Sequence, residues 1–359
     1  MQYLKFLASR LFNGLLVVVG VVVFIFVLFN VLPVNSARMT LGQRADVASV
    51  KAIEREFRLN LPWYIRLGYY FNDISPLSMH HLSDDSHPTW LAPHEVSYVR
   101  LLSIGPRSLV LKTPNFGRSF QTRRRVTEVI SEKMFPTAIL ALCAMALASV
   151  IGIVLGVFAA LKQYSFWDNA ILFLSNLGIS QPAFFSAFII AMIFGYYLSA
   201  VTGLNHQGPL VWIDDYGNEV YLWKNLLLPV LALGIRPIAI ITQLTRSSML
   251  DVMSMDYVRT ARAKGLSNFY VVFKHTLRNA LNPVVTSISG WLAALFTGAY
   301  FIEEVFNYNG LGSQTINAIK NFDFPVVMGL SLFVAVIFVV MNVLTDILYS
   351  FLDPRVTVK

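Results

Sequence analysis

Charged residues are scarce in this chain of 359 residues, of which 13% are charged and 56% are hydrophobic. Soluble domains carry about 25% charged residues. Several uninterrupted apolar runs reach about 20 residues, the length that a helix needs to cross a hydrocarbon core about 30 Å thick. The shortage of charge therefore argues against a soluble domain and indicates a membrane protein.

Cysteine is nearly absent, because Cys143 is the only one in the chain. A single cysteine cannot form an intrachain disulfide, and no metal-ligand spacing surrounds it. The nucleotide-binding pattern Gly-x-x-x-x-Gly-Lys-Ser/Thr is also missing, as are Ser/His/Asp and metal-protease arrangements. We therefore expect no catalytic residue, no metal site and no cofactor bound by this chain.

Six apolar segments are long enough to cross a membrane as helices, and their continuous apolar character argues against barrel strands. They are residues 11–32, 134–161, 169–200, 225–245, 283–302 and 325–351. The first is too long for the core of a signal peptide, so we interpret it as a retained span. Gly178 and Pro182 predict a kink in the third. We identify no ionisable residue clearly at mid-span; Asp346 lies near the inner end of the sixth.

The distribution of charge predicts the orientation of the spans. The net charge is +8, and six of the basic residues lie in the loop 246–282 against two acidic ones. The loops 201–224 and 303–324 are acidic instead. By the positive-inside rule, both termini and the loop 246–282 are cytoplasmic. Because the basic residues follow topology, we expect no nucleic acid partner.

These assignments divide the chain into residues 1–32 with the first span, an extracytoplasmic region 33–133 and a five-helix core 134–359. Within the outer region, residues 46–73 have helical spacing of apolar residues, with Leu61-Pro62 ending or turning the helix. Residues 74–113 are rich in proline, and we predict an irregular insertion. It contains His80, His81, His87 and His94, for which a solvated loop and a metal or proton site are the alternatives.

The loop 246–282 carries the most informative pattern. Tyr257 to Lys264 predicts a short basic helix, with the small residues Ala261 and Ala263 on its surface. Gly265 follows at a position that favours a left-handed C-terminal cap. Residues 268–282 predict a second helix that leads into the fifth span. The residues alone leave two roles open for the basic helix, docking on an acidic partner and lying against lipid headgroups.

The string Arg259-Thr-Ala-Arg-Ala-Lys-Gly265 resembles the coupling-loop motif of ABC importer permeases. It has Arg259 where the general motif has glutamate, and it matches the oligopeptide/dipeptide (peptide/nickel) permease branch at all seven positions. Gly117-Arg-Ser and Asn309-Gly-Leu-Gly312 resemble other segments of that family, with Asn309 in place of proline. Asp353-Pro-Arg355 resembles its C-terminal signature.

The resemblance implies an all-α membrane protein with the type I ABC importer permease fold, with six transmembrane helices and a long extracytoplasmic region between the first two. It implies a permease subunit in the bacterial cytoplasmic (inner) membrane that moves peptides by alternating access. The residues that it implies for coupling to an ATPase subunit are Asp256, Tyr257, Arg259, Thr260, Ala261, Arg262, Ala263, Lys264, Gly265 and Leu266.

The implied partners are a second permease subunit, two ABC ATPase subunits that bind ATP and Mg, and an extracytoplasmic substrate-binding protein. Polar residues of the spans are candidates for the pore lining, although such residues also pack helices together. They are Asn176, Gln181, Gln243, Ser287 and Asn342. Two alternatives remain open: import of nickel chelates or another small solute by the same class, and a carrier or scaffold that works without ATPases.

Overall fold

The computed structural model describes residues 2–31, 58, 60–82, 87–91 and 96–352. Most of these residues are helical. The helices are α1 (Gln2–Val31), α2 (Trp63–Ile74), α3 (Val126–Leu161), α4 (Phe166–Ser180), α5 (Ala183–Ile190), α6 (Ser199–Thr202), α7 (Lys224–Met253), α8 (Asp256–Ala263), α9 (Asn268–Tyr270), α10 (Arg278–Val305), α11 (Leu311–Lys320) and α12 (Phe324–Leu352). Two π-helical segments, Ala191–Tyr197 and Val271–Leu277, follow α5 and α9. The strands are β1 (Leu77–His81), β2 (Tyr98–Ile104), β3 (Arg107–Lys112), β4 (Val211–Ile213) and β5 (Glu219–Tyr221).

Five helical segments among the described residues are long and apolar enough to cross a membrane. They are Ala8–Phe29, Val126–Leu161, Lys224–Met253, Asn268–Thr297 and Phe324–Ile347. A sixth crossing exists if Phe166–Ser180 and Ala183–Tyr197 form one span, although these two segments are bent by 111°. The break falls at Pro182, as the sequence predicts, because proline lacks an N–H and cannot continue the helix. The bend is much larger than the predicted kink.

The larger of two compact units contains residues 1–15, 133–314 and 336–359, and α7 packs there against α4, α5 and α10. Helix α3 also approaches α7 closely, through Gly152 and Gly156. A Cβ atom on Gly156 would lie 2.6 Å from the carbonyl oxygen of Thr242. Small residues spaced four apart allow two membrane helices to pack backbone against backbone. Gly152 and Gly156 therefore allow α3 and α7 to pack in close contact.

The smaller unit contains residues 16–132 and 315–335. Its antiparallel sheet has the strand order β1-β3-β2, so the prediction that residues 74–113 are irregular is wrong. The prolines do not interrupt the strands: Pro76 precedes β1, and Pro106 stands in the turn between β2 and β3, after Gly105 with φ +60°. Proline is tolerated at such positions because it need not donate to the ladder there. Pro76 and Pro106 therefore lie at strand boundaries.

Helix α2 begins directly after Pro62 and covers the end of the predicted helix 46–73. Residues 46–57 of that prediction lie outside the described residues. Pro62 stands at the helix start, where the lack of an N–H costs nothing. The sequence prediction of an end or turn at Leu61-Pro62 is confirmed as a helix boundary.

His80, His81 and His87 are packed against other residues rather than fully solvated. His80 is 2% exposed; its Nδ1 lies 2.9 Å from the carbonyl oxygen of Thr89, and its Nε2 lies 3.3 Å from the side-chain nitrogen of Asn72. Burial lowers the pKa of His80, which favours the neutral ring. The rings of His81 and His87 stack with their centroids 3.7 Å apart. His94 lies outside the described residues.

Candidate functional site

Helix α8 has one buried and one exposed face. Val258 and Ala261, three residues apart, are buried in an apolar cluster with Met249 of α7 and Val271. The predicted surface position of Ala261 is therefore wrong, because it shares the inner face of the helix with Val258. Ala263 is exposed, as predicted. The other coupling candidates are exposed too: Asp256, Tyr257, Arg259, Thr260, Arg262, Lys264, Gly265 and Leu266.

Gly265 ends this helix in the predicted left-handed conformation, with φ +78°. Its N–H donates to the carbonyl oxygen of Arg262 at 3.0 Å. No atom lies within 4 Å of the position that a Cβ atom would occupy. The requirement for glycine is therefore set by the backbone conformation and not by lack of space.

The second predicted helix, residues 268–282, is confirmed and runs on through the π segment into α10. Ser267 caps its start by accepting from the N–H of Tyr270 at 3.4 Å. The side-chain amide of Asn279 donates to the hydroxyl of Tyr257 at 2.8 Å. This bond and the buried face together hold α8 against the start of the long helix.

An exposed aromatic surface adjoins α8, and the sequence analysis did not identify it. Phe269 is 72% exposed and Phe273 is 47% exposed, and their rings lie 4.5 Å apart. Together with Tyr270 and Leu277 they line an open cavity of about 530 Å³. The signal in the sequence was a group of aromatic residues at positions i, i+1 and i+4. They lie in the loop that was predicted to be cytoplasmic.

Two of the five pore candidates come together. The side-chain amide of Gln243 in α7 donates to that of Asn176 in α4 at 2.9 Å, at an exposed position. Gln181 lies in the break between α4 and α5 and accepts from the hydroxyl of Ser186 at 3.4 Å. Ser287 is half-buried in α10. Asn342 donates to the carbonyl oxygen of Phe338 within its own helix, α12.

Arg236 corrects the statement that no ionisable residue lies at mid-span. Arg236 lies near the middle of α7 and is exposed. Its guanidinium donates to the carbonyl oxygen of Ile179, near the end of α4, at 3.3 Å. The signal in the sequence was Ile-Arg-Pro inside the fourth apolar segment. It was overlooked because the segment was identified by its overall apolar composition.

Two ion pairs join helix ends within the larger unit. Both oxygens of the Asp168 carboxylate accept from Arg246, at 2.5 and 2.7 Å, and link the start of α4 to α7. The Asp168 side chain is 1% exposed. Asp346 of α12 pairs with Arg10 of α1 at 3.1 Å. The Asp346 carboxylate therefore has a basic partner within the chain, on the first helix.

The turn after α10 is built around a buried carboxylate. Glu303 is 0% exposed and accepts from the hydroxyl of Thr137 at 2.6 Å and from the N–H groups of Gly312 and Ser313 at 2.7 and 3.0 Å. A Cβ atom on Gly312 would lie 2.5 Å from the Cα atom of Tyr300. This close approach explains the second glycine of the Asn309-Gly-Leu-Gly312 segment.

In the smaller unit, Asp323 contacts the segment Gly117-Arg-Ser and the residue after it. The Asp323 carboxylate accepts from the hydroxyl of Ser119 at 2.5 Å and from the N–H of Phe120 at 2.8 Å. Asp323 is 5% exposed. Ser119, Phe120 and Asp323 therefore form one buried contact.

Comparison with known proteins shows which family the chain matches. Residues 152–358 match the family model described as "Binding-protein-dependent transport system inner membrane component", and residues 3–86 match the model of its N-terminal part. The chain is 31% identical to a dipeptide transport system permease protein of Alkalihalophilus pseudofirmus, over 98% of this chain and 99% of that one. It is 38% identical to the protein of the same name from Bacillus subtilis, over 68% of this chain and 75% of that one.

Among solved structures, the chain is similar to an inward-facing methionine ABC transporter, with 14% identity and a TM-score of 0.47 over 63% of this chain and 97% of that one. The relatives in sequence decide the family. The family model covers more than half of the chain, and one relative matches it almost from end to end. The chain therefore belongs to the family of binding-protein-dependent transport system inner membrane components.

Proposed function

We propose that this chain is a permease subunit of an ATP-driven ABC importer that carries peptides across a bacterial cytoplasmic membrane. The observation that carries the proposal is the two-faced helix α8, in a chain whose relatives are dipeptide permeases. Its outer face is basic and exposed, and its inner face is buried against α7 and the segment leading into α10. Such a helix is suited to being displaced by a partner protein and to transmitting that displacement to the membrane spans.

The contacts of α8 suggest how its displacement would reach the membrane spans. Val258, Ala261 and the Tyr257–Asn279 hydrogen bond hold α8 rigidly. Because α7 packs against α4, α5 and α10, a displacement of α8 moves the central helix of the larger unit. Packed helices pass between discrete arrangements rather than deforming continuously. Closing of the ATPases would in this way switch the path between its inward and outward openings.

Six crossings complete the proposal, with the bent pair of α4 and α5 counted as one and both termini in the cytoplasm. The positive-inside distribution of Lys and Arg supports this orientation. In this arrangement α8 and the aromatic residues Phe269 and Phe273 face the ATPase subunits. By the same topology, the loop that carries β4 and β5 lies on the extracytoplasmic side, which is the side of the substrate-binding protein.

Family membership supports the remaining partners of this proposal. We propose that a second permease subunit, identical or different, supplies the other half of the pore, and that ATP and Mg are bound by the two ATPase subunits. Asn176, Gln181, Gln243, Ser287 and Asn342 are the pore-lining candidates of this half.

Two other functions compete with peptide import. A permease of the same class could import nickel chelates or another small solute. An ion-coupled carrier would need ionisable groups at mid-bilayer, and Arg236 is one such residue, so its presence removes an argument against that class. Family membership favours the importer, because the matched family is that of binding-protein-dependent transport components and the relatives are dipeptide permeases.

Two measurements test the proposal. Affinity purification of the tagged chain in mild detergent should recover two ATPase subunits and a second permease subunit. A deletion strain should lose uptake of labelled dipeptides and keep uptake of nickel. Recovery of the chain without any ATPase would overturn the importer, and loss of nickel uptake with intact dipeptide uptake would overturn the peptide assignment.

A further inference from the structure

We propose that Arg236 forms a carboxylate-binding subsite in the transport path, which receives the C-terminal carboxylate of a passing peptide. This inference rests on the proposed function and deepens it. Its starting point is the depth of Arg236 in α7, about 18 Å along the helix from Lys224 and about 25 Å from Met253, at a rise of about 1.5 Å per residue. Arg236 therefore lies near the middle of the membrane.

A charged side chain at this depth does not face hydrocarbon. Ionisable residues within membrane spans almost always face a bundle interior or a water-filled cavity, because the hydrocarbon does not solvate the charge. Arg236 is exposed on the surface of this chain. The surface around it must consequently be covered by water, by cargo or by the second permease subunit.

The neighbours of Arg236 form a polar seam on α4 and α7. The Asn176–Gln243 hydrogen bond lies along the same two helices, since Gln243 follows Arg236 by two helical turns. The hydroxyl of Ser180 donates to the carbonyl oxygen of Asn176. These groups and the Ile179 carbonyl make the seam polar across the otherwise apolar middle of the spans.

One hydrogen bond orients the Arg236 guanidinium, and no carboxylate pairs with it within the described part of the chain. Its bond to the Ile179 carbonyl uses one of five N–H donors. Among the described residues, no carboxylate lies within ion-pair distance of Arg236. Gly178, whose Cβ atom would lie 3.1 Å from a side-chain carbon of Ile235, lets α4 approach α7 closely enough for this bond. The fixed planar fork is suited to hold a carboxylate through two parallel hydrogen bonds.

The helix break adds further positive potential to the same region. Helix α5 begins at Ala183, four residues after Ile179, and no side chain caps its N-terminus at Pro182. The first N–H groups of an interrupted membrane helix attract anionic groups of a substrate. Arg236 and an uncapped helix N-terminus, which begins four residues after the carbonyl partner of Arg236, both favour an anion.

The C-terminal carboxylate is the anion that peptides share. A peptide permease must pass cargo with many different side chains, whereas this carboxylate is constant. An arginine that binds only the carboxylate can accept a broad range of peptides, because it makes no contact with their side chains. The chemical class of the ligand is therefore a carboxylate attached to a small, otherwise variable solute.

The test uses the complete importer, with its binding protein, in proteoliposomes. Uptake of a labelled dipeptide and of its C-terminal amide is measured at concentrations that saturate the binding protein. Each rate is divided by the wild-type rate for the same compound, which cancels the preference of the binding protein. We expect Arg236→Gln to lower uptake of the acid about tenfold, the effect of losing a hydrogen bond to a charged group, and to change uptake of the amide less than twofold.

The matched control is Lys224→Gln, which removes a positive charge from the exposed start of the same helix. It should affect the two compounds equally. Arg236→Lys keeps the charge without the fork, and a selective decrease for the acid of about threefold is expected. This variant decides the question if Arg236→Gln fails to copurify with the ATPase subunits.

Equal loss of both compounds in the Arg236 variants would overturn the subsite and indicate that Arg236 pairs with the second permease subunit. Unchanged uptake of both would also overturn it. Failure of the wild-type complex to move either compound contradicts the proposed function instead, so the two failures are distinguishable.

Discussion

At the scale of single residues, glycine is required for two different reasons. Gly156 leaves room for the backbone of α7, since its Cβ atom would lie 2.6 Å from the carbonyl oxygen of Thr242. Gly265 has open space around it and a φ of +78°. Substitution at Gly156 therefore creates a clash between helices, whereas substitution at Gly265 strains only the link between α8 and the next helix.

The Gly265 conformation predicts a separation of ATP hydrolysis from transport. The left-handed region costs an L-residue about 1–2 kcal/mol, and a β-branched side chain tolerates it least. Gly265→Val should leave membrane insertion intact and lower peptide uptake at least fivefold, with ATP hydrolysis by the complex retained. Both rates are measured in proteoliposomes.

The control for this prediction is Gly265→Asn, because asparagine enters the left-handed region more readily than other side chains. Its uptake should stay within twofold of the wild-type rate. Wild-type transport by Gly265→Val would contradict a coupling role for this turn.

At the scale of elements, α4 and α7 are held together by contacts of different kinds along their length. The Asp168–Arg246 ion pair lies at the start of α4, the Asn176–Gln243 hydrogen bond lies further along, and the Arg236–Ile179 bond lies near its end. The ion pair is the most buried of the three, with Asp168 1% exposed.

Removing the carboxylate should therefore destabilise the chain strongly. In Asp168→Asn, Arg246 remains largely buried without a counter-charge, which costs about 3–5 kcal/mol of unfolding free energy in comparable buried pairs. The double variant Asp168→Asn/Arg246→Met removes the stranded charge and should recover part of the loss. Thermal unfolding of the purified complex in detergent measures both.

The comparison pair is Arg124–Glu132, whose side chains are 50% and 43% exposed. Surface pairs contribute about 0–1 kcal/mol, so Glu132→Gln should lower the unfolding temperature only slightly. A double variant no more stable than Asp168→Asn would show that Arg246 is not stranded and that this explanation is wrong.

At the scale of the whole molecule, the number of spans depends on whether the bent pair of α4 and α5 crosses the membrane. Lys162 precedes the pair and Tyr216 follows it, and both residues are exposed. In a chain whose only cysteine, Cys143, is replaced by serine, a membrane-impermeant maleimide should label Tyr216→Cys in intact spheroplasts. It should label Lys162→Cys only after permeabilisation.

Ser254→Cys, between α7 and α8, serves as the cytoplasmic reference because it should also require permeabilisation. Labelling of Lys162→Cys and Tyr216→Cys from the same side would mean that the pair enters and leaves by one face. Five crossings would then replace six.

Local pattern was sufficient for several features. The apolar runs predicted the long helices, because a span satisfies its backbone hydrogen bonds within one continuous segment. The left-handed Gly265, the short helix before it and the break at Pro182 also depend on neighbouring residues alone. The coupling-loop motif indicated the family for the same reason, since seven consecutive residues carry it.

Tertiary structure decided what depends on residues far apart in the chain. The sheet β1-β3-β2 requires pairing across loops rich in proline, and the inward position of Ala261 depends on the cluster that covers it. Asp168 and Arg246 meet only because α4 and α7 pack side by side. The sequence by itself determined that the chain is a helical membrane protein with a motif that resembles the coupling loop of ABC importer permeases. Only packing decided that a scarce charge, Arg236, lies beside a broken helix, because composition records how many charges there are and not which residues they contact.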